Sequence, residues 1–273
     1  VSLTTAYDRS ASGWDRAGTV YEPLGRLLVA SSPVDLAGRW LLDAGSGSGS
    51  VARAALARGA RVVAVDRSGA MLRGGSGADW PATVGDVLAL PFRHHAFEIV
   101  TAGFVLNQVP PADGLAEVAR VTRPGGTVLV STWSRRPSDP VKAALNDLLS
   151  AHGWTRPAWF ASLQSTVEPV SGEPERLGEA AVTAGLTEVR ATVLGADLGH
   201  LDPAAVVAYR LALPHIAGWY VALPSGAKQA IVAEGVRAVR PLLNSWRPAV
   251  ILLSGRTRDH SRRRPAARAK AGA

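Results

Sequence analysis

The sequence predicts an α/β fold. It reads as a doubly wound, seven-stranded, mostly parallel sheet, with one antiparallel strand near the carboxyl end and a helical lid inserted before it. Three observations predict it. Short apolar runs recur between residues 40 and 133, each followed by a helix-forming stretch; strand alternating with helix makes a parallel sheet with right-handed crossovers. A glycine-dense turn, Gly45 to Gly49, joins the first run to the first helix. The chain has 273 residues, 47% of them hydrophobic, enough for one large domain, or one domain plus a lid, with a full core.

The elements follow in order. Trp40 to Ala44 is an apolar run that stops at glycines, as a buried parallel strand does. Val51 to Arg58 is rich in Ala, Leu and Arg, which favour helix, and Gly59 closes it. Arg61 to Asp66 is a β-branched strand, and Ser68 is placed to cap the helix that starts there and runs to Arg73. Ala82 to Gly85 and Phe97 to Ala102 are the third and fourth strands. Ala112 to Thr122 is helical, Pro124-Gly125-Gly126 turns, and Thr127 to Trp133 is the fifth strand. Beyond it, Asp139 to Ala151 reads as helix and Gly153 to Pro174, rich in Pro, Trp and Ser, as a long loop or lid. Glu175 to Ala184 is helix, Thr187 to Leu198 strand, Pro203 to Leu213 and Gly226 to Leu243 helices, and Ala249 to Ser254 the last strand.

Composition excludes several chemistries. With no cysteine there is no disulfide, thiolate nucleophile or cysteine-bound metal, and the histidines and acids show no metal-ligand spacing. No apolar run is long enough to span a bilayer, and Val1 to Asp15 show no export leader, so the cytoplasm is the expected compartment. The net charge is +8, but Thr257 to Ala273 holds six basic residues against Asp259. That segment is expected to be a disordered basic tail. The rest of the chain is only weakly basic, so nucleic acid is not the expected partner; a homo-oligomer is compatible with the sequence.

The informative stretch is Asp43-Ala44-Gly45-Ser46-Gly47-Ser48-Gly49. Its glycines allow a sharp turn and let a ligand lie against bare peptide, with the amides of the following helix aimed at it. The order G-x-G-x-G departs from the dinucleotide fingerprint, since Ser50 stands at its last position, and no Gly-Lys-Ser/Thr of a P-loop follows. Asp43, two residues before the first glycine, suits a ligand with a positive amino group. Asp66, about 20 residues on, is placed to accept from ribose hydroxyls. Asp86 ends the third strand and can accept from an adenine amino group. Three acids at the carboxyl ends of consecutive strands converge on one crevice.

These residues resemble the core of class I S-adenosylmethionine-dependent methyltransferases, in the branch of ubiquinone-biosynthesis-type small-molecule enzymes, a Rossmann-like fold. The matching stretches are Leu42 to Gly49, Val65 to Ser68, Met71-Leu72, Gly85 to Val87, Leu90 to Phe92, and Glu117 to Val121 leading into Arg123 to Gly126. The resemblance implies S-adenosylmethionine as cofactor. Asp43, Gly45, Ser46, Gly47 and Gly49 would surround its methionine end. Asp66, with Arg67 beside it, would hold the ribose, Met71 would pack on the adenine, and Asp86 and Val87 would hold the adenine edge. Gly103 and Phe104 would line the sulfonium side. The segment from Ala6 through Trp14 and Asp15, with Tyr21, resembles a helical flap over the cofactor. The expected organisation is a flap over 1–37, a methyltransferase domain over 38–256 with a lid near 203–243, and the tail over 257–273.

The implied reaction is methyl transfer to O, N or C of a small, aromatic or lipophilic acceptor. Alignment of nucleophile and methyl supplies much of such a rate, and a base is needed only if the nucleophile must lose a proton. His215 is the candidate base, between the two late helices. Asn107 is the second catalytic candidate, in the Leu106-Asn107-Gln108-Val109 stretch where relatives carry histidine. Trp133, Trp154, Trp159 and Trp219 offer aromatic walls. Abundant Arg over Lys, and abundant Ala, suggest a GC-rich bacterial genome and secondary metabolism. Two alternatives stand beside this: a protein that binds the same cofactor to steer a cyclisation or rearrangement, and an RNA or protein methyltransferase.

Overall fold

In the computed structural model, residues 3–11, 13–14, 18–74 and 79–259 are described. Of the tail expected over 257–273, residues 260–273 lie outside them, and Thr257 ends the last strand instead. Helices α1 (Leu3–Ser10) and α2 (Gly18–Ala30) precede strand β1 (Trp40–Ala44). Next come α3 (Ser50–Leu56), β2 (Arg61–Asp66), α4 (Gly69–Gly74), β3 (Ala82–Val84), β4 (Phe97–Gly103), α5 (Pro111–Val121) and β5 (Thr122–Trp133). Then follow α6 (Pro140–Ala151), α7 (Ala158–Thr166), α8 (Glu168–Ser171), α9 (Pro174–Thr183) and β6 (Leu186–Gly195). Helices α10 (Pro203–Ala212), α11 (Pro214–Val221) and α12 (Ser225–Val239), with a short 3-10 turn over Arg240–Ser245, lead into β7 (Ala249–Thr257).

The seven strands form one sheet in the order β3-β2-β1-β4-β5-β7-β6. All neighbours pair in parallel up to β5, while β7 is antiparallel to both β5 and β6. Strand order therefore reverses between β1 and β4, and the crevice beyond their carboxyl ends is where sheets of this kind bind ligands. Alternation along the strands fills both faces. Leu41, Ile99, Leu129 and Leu252 pack on one side with α2 and α3, whereas Leu42, Val100, Val128 and Ile251 pack on the other with α5 and α9. Both sets are almost wholly buried.

A third apolar cluster sits at the carboxyl edge of the sheet. It joins Leu24, Met71, Leu145, Val206 and Ile231 to Val250, which opposes Trp133 at the end of β5. Helices α6 and α10 to α12 thus stand over the same edge as the glycine turn.

Several expectations need correction. The segment expected as a loop over 153–174 holds α7 and α8. Pro157 and Pro169 stand at or next to the first helical position, where a missing N–H costs nothing. His215, expected between the two late helices, lies inside a helix of its own: Pro214 opens α11 directly after α10, and His215 is buried in it. The second late helix stops at Val239, and Pro241 tightens the next turn to 3-10. The strand expected over Thr187 to Leu198 ends at Gly195. Pro124-Gly125-Gly126 lies within the span of β5 as an irregularity in its register with β4.

Candidate functional site

The glycine turn is held by backbone bonds to the neighbouring strand. Gly45 and Ser46 N–H both donate to the Val65 carbonyl, at 2.8 and 3.0 Å. Gly45 has φ +72°, and a Cβ there would fall 2.5 Å from Val105, so both conformation and space demand glycine. Gly49 has φ +89° and faces Trp80; it turns the chain into α3 rather than lining the cavity.

Each acid is placed by a hydrogen bond that fixes the turn. Asp43 Oδ1 accepts from Thr101 Oγ1 at 2.9 Å and Oδ2 from the Ala52 N–H at 3.1 Å. The start of α3 is thus answered partly by Asp43, not left wholly to a ligand. Burial pushes the Asp43 carboxyl up to about 6, with the Thr101 hydrogen bond opposing it. Asp66 Oδ2 accepts from Gly47 N–H and Oδ1 from Ser68 N–H, both at 2.8 Å. Burial raises its pKa as well, against those two bonds. Asp86 forms an ion pair with Arg67 and accepts from Leu88 N–H at 3.0 Å. Each carboxylate keeps a lone pair for a ligand, since a carboxylate offers about four acceptor sites.

These three acids line one cavity with Gly45, Ser46 and Gly47. Arg67, Met71, Val87, Gly103, Phe104 and Tyr21 line it too. Met71 is buried and its terminal methyl lies 3.4 Å from where a Gly47 Cβ would stand, so it covers the turn. A Cβ on Gly103 would fall 2.8 Å from Val51. Phe104 follows with φ +55°, a left-handed conformation rare for a bulky residue, held by its N–H to Ser131 O at 2.8 Å.

Helix α1 closes one side, contributing Leu3, Thr4 and Tyr7. It is tied down where Ser68 Oγ donates to Asp8 Oδ1 at 2.5 Å. Ser68 also caps α4, accepting from Met71 N–H at 3.1 Å. Trp14 stacks on Tyr21 with centroids 5.5 Å apart, and Tyr21 meets Phe104 edge-on at 5.6 Å. Burial pushes the Tyr21 hydroxyl up to about 12, with Tyr209 and Trp133 as hydrogen-bonding neighbours that lower it. Burial likewise raises Tyr7. Both phenols stay protonated at neutral pH.

The two catalytic candidates lie in a second cavity of about 400 Å³, framed by the end of β5 and by α6, α7, α10 and α11. Tyr7, Tyr21 and Gln108 line both cavities, so the two adjoin. Asn107 Oδ1 and His215 Nε2 are buried without a hydrogen-bond partner among the described residues. The His215 ring lies flat on Phe160, 3.8 Å between centroids and 3° between planes, and its carbonyl accepts from Trp154 Nε1 at 3.1 Å. Burial first, then the charges of Arg210, Lys142 and Arg156, holds this imidazole well below the usual range, so it is neutral at pH 7. Of the expected aromatic walls, Trp133 and Trp159 line this cavity; Trp154 and Trp219 do not.

The sequence reading missed Arg210, Asn146, Phe160 and Trp246 in the second cavity, and Val105 in the first. Arg210 had a signal, as the one charge in the apolar helix Pro203–Ala212. Among the described residues no group of His, Asp and Glu could hold a metal ion, and no helix is long and apolar enough to cross a membrane.

Comparison with known proteins bears on this geometry. Residues 42–130, from the end of β1 to β5, match the family described as a methyltransferase domain. The chain is 34% identical over 145 residues to a demethylmenaquinone methyltransferase of Clavibacter sepedonicus, covering 50% of this chain and 59% of that protein. It spans about half the length of the curated relatives it matches. By structure it is similar to the Haemonchus contortus phosphoethanolamine N-methyltransferase 2 in complex with S-adenosylhomocysteine. The TM-score is 0.58 at 16% identity, over 95% of this chain and 61% of that one. The Haloferax volcanii putative methyltransferase solved with its activator Trm112 gives a TM-score of 0.55 at 20% identity, over 95% and 99%. The glycine turn, its three acids and the reversal of strand order all fall within or beside residues 42–130, the stretch that matches the methyltransferase domain family.

Proposed function

We propose that the protein transfers a methyl group from S-adenosylmethionine to O, N or C of a small planar or lipophilic molecule. The observation that carries this reading is the pair of adjoining cavities: one on the glycine turn, the other walled by aromatic side chains, with Tyr7, Tyr21 and Gln108 common to both. The cofactor site fits the group. Asp43 suits a cationic amino end, Asp66 a vicinal diol, Asp86 an exocyclic amine, and Met71 with Val87 an apolar ring. Bound there, the cofactor supplies a methyl already activated on a sulfonium.

The chain's residues do the rest. The aromatic group of Tyr21, Phe104 and Trp133 bounds the passage between the cavities and excludes water from it. Tyr7 and Tyr21 hold their protons, so they donate hydrogen bonds and do not act as bases. His215 is neutral and lines the acceptor-sized cavity, and its Nε2 is buried without a partner among the described residues, so it can take a proton from a bound nucleophile or orient it. Asn107 Oδ1 can accept a hydrogen bond from an acceptor's hydroxyl or amine. Holding the two reactants in adjoining cavities is itself a source of rate.

The curated relatives' name points to demethylmenaquinone as one such planar, lipophilic acceptor, and the chain's composition extends the reading to secondary metabolism. Product mass tests it: incubation with S-adenosylmethionine and the acceptor must add one methylene. A product of unchanged mass contradicts methylation and favours a cofactor-bound cyclisation or rearrangement instead.

A further inference from the structure

Helix α10 buries one cation in a cavity where no carboxylate of the described residues forms an ion pair with it. Arg210 is 7% exposed and lines the second cavity. Its terminal NH2 donates to the neutral Asn146 Oδ1, and its Nε is buried with no partner among the described residues. Among those residues no carboxylate comes within 4.0 Å of it. Two carboxylates do share the cavity, and each is engaged elsewhere. Asp139 Oδ1 accepts from Lys142 N–H at 2.9 Å and Trp246 Nε1 at 3.0 Å. Glu168 Oε1 faces Gln164 Nε2 at 3.3 Å.

An uncompensated buried guanidinium is costly, whereas a paired, hydrogen-bonded one is not. Its planar fork matches a carboxylate with two parallel bonds, which a neutral ligand cannot replace. The walls around it, Trp133, Trp159 and Phe160, suit a flat body. Lys142 adds a second cation to the same cavity.

We infer that the methyl acceptor carries a carboxylate on a planar, mostly apolar body, and that Arg210 is the residue that selects it. This rests on the methyltransferase reading and narrows its substrate class. It places the acceptor apart from a neutral quinone: the charge anchors one end of the molecule at α10 and leaves the other end toward Tyr7, Tyr21 and Gln108, where the cavities meet.

The test is calorimetry on the full chain, first with S-adenosylhomocysteine alone. With that site saturated, naphthoate is titrated against its neutral isostere, naphthamide. The expected result is a preference for the carboxylate of about tenfold or more, the range of a charge-assisted hydrogen bond. In Arg210→Gln the preference disappears while S-adenosylhomocysteine binds within about twofold of the parent, and Arg210→Lys recovers part of it. Equal affinity for the two probes in the parent protein overturns the inference, as does no naphthoate binding up to about 10 mM. So does a preference that survives Arg210→Gln, or a parallel loss of S-adenosylhomocysteine affinity in that variant, which would assign the guanidinium to the cofactor. The parent-protein comparison stands even if the variant fails to fold. Absence of S-adenosylhomocysteine binding in the first titration would strike the methyltransferase reading itself, separately from the acceptor's charge.

Discussion

The two cavities are built by different means. The first hangs on backbone: three glycines at positive φ, a Val65 carbonyl receiving two amides, and acids whose side chains clamp main-chain N–H groups. The second hangs on side chains from two stretches far apart in sequence, α6 with α7 and α10 with α11, where Arg210 meets Asn146 across 64 positions. A site fixed by backbone geometry tolerates little change in its frame. A site assembled from side chains on packed helices can be re-specified one residue at a time, and that division suits a constant cofactor beside a variable acceptor.

The largest effect expected is on the backbone-built side. Gly45→Ala forces a Cβ against Val105 at a φ of +72°. It should lower stability by about 2 to 4 kcal/mol and remove cofactor binding. Thermal unfolding with calorimetry reads both, and an unaltered protein would mean that the turn is adaptable. An alanine in place of Arg210 should by contrast spare cofactor binding, which sharpens the comparison.

Next is a pH dependence confined to the first cavity. The Asp43 carboxyl is pushed up to about 6, so in the free protein it takes a proton as pH falls through that value. A cationic amino group needs the ionised form. Affinity for S-adenosylhomocysteine should therefore fall about tenfold between pH 7 and pH 5. Asp43→Asn should bind weakly and show less of this slope. The sign for the unliganded fold is opposite: between about pH 4 and 6 the folded state holds a proton that the unfolded chain has lost, so stability declines as pH rises through that window. Affinity independent of pH would mean that Asp43 serves only the turn.

His215 should give a smaller effect. Its imidazole is already neutral, so turnover should stay flat from pH 6 to 8. His215→Phe, which keeps a ring against Phe160, should cost about tenfold in kcat with little change in cofactor affinity. Full turnover in that variant would remove His215 from the chemistry. The smallest expected change is structural. Asp139→Ala removes the cap of α6 and the partner of the Trp246 indole. It should cost about 1 to 2 kcal/mol, read as a drop in Tm, with the cofactor site untouched.

The same division explains what was legible in the sequence. Backbone-built features leave local signatures. Leu41 and Leu42 followed by alternating glycines mark a strand and a turn; Asp66 ends a β-branched strand, and Asp86 stands two residues past the short β3. Gly45, Gly47, Asp43 and Asp66 could therefore be named from spacing alone. Gly49 could be named too, but its place is to turn into α3 beside Trp80. The second half lacks such marks. Prolines at 157, 169 and 214 read as breaks, yet they stand at or near helix starts, where proline is tolerated. That hid α7, α8 and α11, and with them the stacking of His215 on Phe160. Arg210 and Asn146 lie on separate helices, and nothing local says that they meet. The same holds for Asp8 of α1 and Ser68, whose bond ties the first helix to the end of β2.

The central claim is that the glycine turn and its acids bind S-adenosylmethionine. Titration calorimetry of the full chain with S-adenosylmethionine and S-adenosylhomocysteine tests it most directly, alongside Asp66→Ala, which strips the Gly47 and Ser68 amides of their acceptor. The expected result is binding of both at about micromolar Kd, weakened at least a hundredfold in a variant that still unfolds cooperatively. No binding of either compound to the parent protein, or equal binding to Asp66→Ala, would contradict it.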